Sequence, residues 1–553
     1  MGIGSAPTAY AAFYMFIPGI GSSYLIQDDA TNRSRQWNLV DTVSKVAGRH
    51  QLKFGFAYRS ILSPLNPPTP YAFAEYASGV SILNNAASFL ELQNSLPAYP
   101  IFHEFGAFAQ DEWAIVPRVS LSLGLRWEMD PPPGTANGLP AYTVSGSPSN
   151  PASLTLDPRG TALWATGHYN LAPRLGVAYQ ASTAPGRETV LRAGGGVFFD
   201  TNNSVAARGF SALGFSSYRT YSGKPLPVTT EQIDFPVTVA APYTGASVYA
   251  FPEHLQLPYT LQWSAAVEQA LGRNQALTIT YVGSNGRRLQ QQQTFNVTAS
   301  NPNFGYVYAY PSGVTSSYNA LQAQFQRTVR HGLEALASYT WSHSLDFGST
   351  DASLPLTRGN SDFDVRNNFQ AGLTWDLPEV AAHGWKAVTL DHWGLDLRAI
   401  ARTAFPVTLS GNTLTNPVSG YYTSNANLVP GKPIYLYGSQ YPGGRAVNPA
   451  AFSLPKGNDP GDAPRNFVRG FGENQFNLAV RREFQIVDRA SVQFRAEAFN
   501  FLNHPNFGYV DPSLEDKTFG LATKSLNQSL GTVASQYQQG GPRSMQFSLR
   551  LLF

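Results

Sequence analysis

The chain has 553 residues, of which 13% are charged and 13% aromatic, with a net charge of +3 and no cysteine. Charge this sparse beside so many aromatics excludes a disordered chain, and 38 basic against 35 acidic residues without a basic block excludes nucleic acid as a partner. The lack of cysteine excludes a disulfide scaffold, a thiolate metal site and a cysteine nucleophile.

No apolar run reaches the roughly 18 residues of a membrane-crossing helix. Mean hydropathy is −0.20, a value shared by soluble proteins and by membrane barrels, in which half of each strand faces water. Residues 1–34 are rich in Gly, Ser and Ala. Their apolar patch, Ala9 to Ile17, has no preceding Lys or Arg and makes a poor export signal. The expectation is a fragment, or a reading frame lacking its true start, with 1–34 a poorly defined remnant of an upstream strand or loop.

From residue 35 the chain becomes regular. Gln36–Val46 and Gln51–Arg59 flank a turn at Gly48-Arg49-His50, with Leu52, Phe54, Phe56 and Tyr58 on one face of the second strand. After a long connection, His103–Ala114 leads through Val116-Pro117-Arg118 into Val119–Met129. There Val119, Leu121, Leu123, Leu125, Trp127 and Met129 alternate with Ser120, Ser122, Gly124, Arg126 and Glu128. The Pro131–Pro133 run ends the strand, because proline cannot donate to a ladder.

The arrangement repeats through paired strands Leu171–Gln180 and Val190–Asp200, Tyr259–Gln269 and Ala276–Gly283, Tyr318–Val329 and Leu333–His343, Asn368–Leu377 and Trp393–Arg402, and Gln475–Phe484 and Ser491–Asn500. The last eleven residues, Arg543–Phe553, place Met545, Phe547, Leu549, Leu551 and Phe553 on one face and Ser544, Gln546, Ser548 and Arg550 on the other. Gly194-Gly-Gly196, inside a strand, predicts close backbone approach.

About fifteen strands of roughly ten residues alternate strictly between short and long connections, as in outer-membrane barrels with short periplasmic turns and long outer loops. The last strand therefore runs inward. Tyr58, Trp113, Trp127, Tyr179, Tyr259, Trp341, Trp375, Trp393, Phe484 and Phe553 cluster near strand ends on the oily side, as interfacial belts do. A soluble β-sandwich alternates too; loop asymmetry and low charge favour the membrane barrel.

No catalytic pattern is present: no HExxH, GxSxG, phosphate loop or dinucleotide fingerprint, and nine scattered His without metal-ligand spacing. The chain is read as a non-enzyme without cofactor or metal. Asp346, Asp351, Asp362 and Asp364 crowd one outer loop but lack calcium-loop spacing, so a solvated acidic loop is expected. Arg126, Glu128, Arg174, Arg192, Arg398, Arg481, Arg495 and Glu497 fall on polar sides and are candidates to line a lumen. A charge facing lipid at mid-membrane costs about 2–4 kcal/mol. These side chains either line a substrate path or simply pair.

Phe108-Ala-Gln-Asp-Glu-Trp113, Pro117-Arg118 and Leu123-Gly-Leu-Arg-Trp-Glu128 resemble strands of TonB-dependent outer-membrane receptors, as do Asn170–Tyr179 and Leu191–Asp200. Ser361-Asp-Phe-Asp-Val-Arg-Asn367, Phe494–Gly508, Asn448–Phe452 and Arg465-Asn-Phe-Val-Arg-Gly470 resemble the Oar-like subgroup. The resemblance covers about residues 35–553. It implies an all-β fold, an antiparallel transmembrane barrel of the 22-stranded type, of which this chain supplies about fifteen or sixteen strands and no plug domain. It also implies the outer membrane as location. The implied partners are membrane lipid, the TonB complex acting through a plug, the barrel-assembly machinery reading Phe547, Leu549, Leu551 and Phe553, and an extracellular ligand.

The function so implied is import of a large or scarce substrate, a glycan fragment or metal chelate. A surface adhesion barrel without transport, and a secreted soluble β protein, are the alternatives.

Overall fold

The computed structural model describes residues 12–17, 21–26, 32–310, 312–330, 332–348, 357–379, 391–416, 420–457, 459–487, 489–529 and 539–553. Its main sheet has 17 strands, two of them two-residue extensions at Gly134–Thr135 and Gly359–Asn360. The other fifteen form an antiparallel meander. They are β1 Arg35–Ala47, β2 His50–Leu62, β3 Pro100–Val116, β4 Val119–Met129, β5 Asn170–Ser182, β6 Thr189–Phe199, β7 Tyr259–Ala270 and β8 Gln275–Gln290. There follow β9 Ser312–Arg330, β10 Leu333–Asp346, β11 Asn367–Asp376, β12 Trp393–Arg402, β13 Glu473–Val487, β14 Ala490–Phe499 and β15 Ser544–Leu552.

Each strand pairs with its neighbour in sequence, so register carries one face across the whole wall. Among the described residues β1 pairs only with β2 and β15 only with β14. Several strands run longer than the expected ten residues, β9 reaching 19, because they extend past the membrane-crossing length into the long connections.

The apolar face is consistent. Trp113, Trp127, Tyr179, Trp341, Trp375 and Trp393 fall in register with Leu121, Leu171, Leu191, Leu321, Leu395 and their neighbours. Tyr58, Tyr259 and Phe484 share it, opposite Phe105, Phe199 and Val492. Charge is not wholly confined to the other face. His50 and Asp111, 2.7 Å apart, stand on the apolar side, with the Trp113 ring 5.1 Å from that of His50. Arg482 also stands there, its guanidinium 5.2 Å from the Trp393 ring and 4.4 Å from that of Phe484. These three lie near the short turns, at the level where long side chains reach interfacial water; Lys45 and, at mid-strand, Asp41 of β1 share the same face by register, opposite Leu52 and Phe56.

Short turns close over glycines: Gly48 and Gly272 have φ of 60° and 83°, a region open to glycine at little cost. The long connections differ from the sequence expectation. They are packed bodies rather than plain loops. Phe102, at the start of β3, and Trp164, Phe210, Phe215, Phe251 and Tyr310, drawn from three connections, form one core, flanked by two others. Together these make a first cap. Leu409, Val447, Val468, Val510 and Phe519 form the core of a second, built from residues 403–472 and 500–543.

Burying Phe210 and Phe215 alone stabilises the first cap by about 1.5–3 kcal/mol each. Ala12–Ile17, within the 1–34 segment expected to be a poorly defined remnant of an upstream strand or loop, runs parallel to Tyr71–Glu75 in a five-stranded cap sheet. No described helix is long and apolar enough to cross a membrane.

Candidate functional site

The polar face brings several sequence-selected charges together and gives each of them a partner or a cavity. On β11 to β14 the order of contact is Asp376, Arg481, Asp396, Arg495, Glu497. Arg481 donates to Asp376 and, over 3.4 Å, to Asp396. Arg495 donates to the other oxygen of Asp396 and, over 3.3 Å, to Glu497. Alternation in each strand aims these side chains at one face, and register places Gly394 opposite Arg481, Arg481 opposite Arg495, and Ala479 opposite Glu497.

Gly394 is required by that contact: a Cβ there would lie 2.6 Å from Arg481 Cζ. In the glycine run of β6, a Cβ at Gly196 would lie 2.9 Å from Arg174 Cγ, so this run does mark close approach.

Beside the network opens a cavity of about 900 Å³ lined by Glu334, Asp396, Arg398, Arg495, Glu497 and Arg550, with glutamines between them. Three carboxylates face three guanidiniums, so the lining is polar but close to neutral. Arg398 and Arg550 have no carboxylate within salt-bridge distance among the described residues.

The remaining candidates lie elsewhere on the same face. Arg126 pairs with Glu128, and Arg192 with Glu268 over 3.4 Å. The Arg174 guanidinium stacks 4.4 Å from the Phe198 ring. The structure therefore separates the eight into the β12–β14 group and three local contacts. Sequence reading missed the acidic partners Asp376, Asp396, Glu268 and Glu334; strand parity marks each of them as polar-face. Phe547, Leu549 and Leu551 stand on the apolar face opposite Ala496, Phe494 and Val492, and Phe553 is fully exposed.

A third acidic group gathers at the long-connection end of β3 and β4. Arg59 pairs with Glu104 over 2.9 Å, and Asn203 donates to the other Glu104 oxygen over 2.8 Å. Asp130, just beyond β4, is pushed up to about 7 by burial and by the nearby Glu104 and Glu128 carboxylates.

The aspartates expected as a solvated loop are instead neutralised by arginine. Arg465 contacts Asp346 and, over 3.3 Å, Asp362. Asp364, with a fully buried side chain, takes bonds from Arg469, from Arg366 over 3.2 Å and from His343 over 3.1 Å. Asp351 lies outside the described residues. Among the described residues no group of three or more His, Cys, Asp and Glu is placed to hold a metal ion.

A family model described as an outer membrane beta barrel domain matches residues 2–546. No curated protein sequence matches the chain. Among solved structures, the outer membrane transporter YddB from Escherichia coli aligns with a TM-score of 0.51 at 10% identity, over 98% of this chain and 57% of that one. The Pseudomonas aeruginosa ferripyoverdine receptor aligns with a TM-score of 0.46 at 10% identity, over 94% and 48%. The Neisseria meningitidis FrpB iron transporter gives 0.46 at 10% identity, over 96% and 56%. The chain spans about half the length of these structures.

Proposed function

This chain belongs to the outer membrane β-barrel domain family, and on that premise we propose that its fifteen strands are the wall of a TonB-dependent type transporter. The outer membrane is its location, which sets aside the secreted soluble alternative. The polar face then faces a lumen. The observation that carries the transport reading is the Asp376–Arg481–Asp396–Arg495–Glu497 chain with its adjoining cavity of about 900 Å³. A passive structural wall has no need of five alternating charges bordering an open polar cavity. A path for a bulky polar solute does, because paired charges hydrate it without trapping it.

The substrate class is a glycan fragment or a metal chelate. The TonB complex is the energy source in this reading, acting through a plug contributed from outside the fifteen wall strands. The Ser361–Asn367 and Arg465–Gly470 signatures support assignment to the Oar-like subgroup.

Growth of a deletion strain on ferric chelates as sole iron source and on polysaccharide fragments as sole carbon source tests this. The reading predicts loss of growth on at least one source and reduced uptake with Asp396→Asn at normal surface abundance. Unchanged growth on all of them contradicts it. One observation favours a second reading, an adhesion barrel: the caps have their own cores and expose Tyr169 at 94% and Tyr437 at 73%. Binding of cells to matrix surfaces with uptake intact would select that reading.

A further inference from the structure

A second cavity, of about 910 Å³, lies on the opposite face of the wall, where β10 to β13 meet the second cap. Its floor is Tyr339, Phe369 and Ala401, which share the apolar face with Trp375, Leu373 and Leu397. Its rim carries Arg366, Arg445 and Arg469, and among the described residues no carboxylate lines it. The cavity sits at the end of the wall from which the long connections emerge.

The rim is not neutralised. Arg366 and Arg469 share one carboxylate, Asp364. Arg402 shares the parity of Arg398 and turns to the polar face, where it pairs with buried Glu473 over 2.8 Å. Among the described residues Arg445 donates to the Arg469 and Gly470 carbonyls and to no carboxylate, its guanidinium 4.7 Å from the Tyr435 ring and 4.9 Å from that of Phe471. Three guanidiniums thus face one carboxylate, an excess of two positive charges beside a membrane-facing floor. Such an excess is costly in low dielectric unless an anion completes it.

We propose that this cavity binds the phosphorylated headgroup of an outer-leaflet glycolipid. Guanidinium forks match phosphate oxygens in paired hydrogen bonds. The cavity's size lies within the usual range for small-molecule sites, about 300–1,000 Å³. The apolar floor selects an amphiphile over a free anion. It continues down the wall through Leu373 and Leu397, the direction acyl chains take from a headgroup held at the rim. Exposed Tyr437 lines the cavity beside Tyr339 of its floor, the residue type that anchors barrels at a membrane interface. The inference rests on the outer-membrane location and on strand register, and is independent of the transport reading.

The test uses the full chain in phosphatidylcholine nanodiscs doped with diphosphorylated lipid A, or with the same lipid stripped of both phosphates. Retained lipid is read by native mass spectrometry. The proposal predicts at least about tenfold preference for the phosphorylated lipid, the worth of one or two charge-assisted hydrogen bonds. It predicts that millimolar inorganic phosphate does not displace it. Arg366→Gln with Arg445→Gln lowers retention by a similar factor, while Arg118→Gln, in a turn at the other end of the wall, leaves it unchanged. Equal retention of both lipids, displacement by phosphate, or full retention by the double variant overturns the proposal. If the double variant does not fold, the two-lipid comparison on the unaltered chain decides.

Discussion

Arg469 donates to the buried carboxylate of Asp364 from 105 positions further along the chain. Around that contact, Arg366 and His343 share the same carboxylate, and the Ser344 backbone N–H donates to it over 2.8 Å. Burial pushes the Asp364 carboxyl up, but the Arg469 hydrogen bond, with those of Ser344 and His343, outweighs it and holds the group below its ordinary value. The second cap is fastened to the wall at this point, through the connection after β10 and the segment before β13.

Removing Arg469 leaves the buried carboxylate with Arg366, His343 and the Ser344 N–H but without its Arg469 hydrogen bond. Arg469→Gln therefore lowers stability by about 1.5–3 kcal/mol, measured by urea unfolding in detergent. Because the folded Asp364 pKa is depressed, its contribution is present above the ordinary carboxylate range and is lost only as pH falls through the lower folded value. Asp364→Asn removes that acid sensitivity. A stability loss below about 0.5 kcal/mol for Arg469→Gln would place the pair among the weak surface bridges.

Gly394→Ala puts a methyl group 2.6 Å from Arg481 Cζ, inside contact distance. The guanidinium must leave Asp376 and Asp396, at an expected cost of about 1–3 kcal/mol. In an Arg481→Ala background the same change costs almost nothing, since the clash and the network are both gone. Equal costs in the two backgrounds would show that Gly394 serves the backbone alone.

Asp130 titrates near pH 7, above its ordinary 3.8, so the folded state binds its proton more tightly than the unfolded one. Stability therefore falls as pH rises from about 4 to 7 and is level beyond. Asp130→Asn flattens that decline, and its advantage over the unaltered protein is greatest above pH 7. A pH-independent difference between the two would contradict the shift.

The outward residues Phe547, Leu549, Leu551 and Phe553 are proposed as the stretch read by the barrel-assembly machinery. Phe553→Ala is expected to reduce the heat-modifiable band in outer-membrane fractions relative to the unaltered protein. An unchanged band would remove Phe553 from that role.

The wall was legible because alternation is local: Val119–Met129 or Ser544–Leu552 declares its two faces without reference to any other strand. The arginines of the site were legible for the same reason, since parity alone assigns Arg481 and Arg495 to the polar face. Their partners were not. Asp376 and Asp396 lie 105 and 85 positions from Arg481, and only register brings them into contact. The caps were hidden for a different reason. Phe210, Trp164 and Tyr310 come from separate connections with no period, so their shared core exists only once the wall sets the strand ends side by side. The acidic loop was misread because Arg465 and Arg469 neutralise it from a distant segment.

The assignment of one face to lipid and the other to a water-filled lumen is the central claim, and the absence of native cysteine makes it directly testable. Single cysteines placed in turn at residues 545–550 in outer membranes are treated with a membrane-impermeant maleimide and with a lipid-soluble one. The account predicts that the impermeant reagent labels positions 546, 548 and 550 while the lipid-soluble reagent labels 545, 547 and 549. Labelling of all six by the impermeant reagent would contradict it.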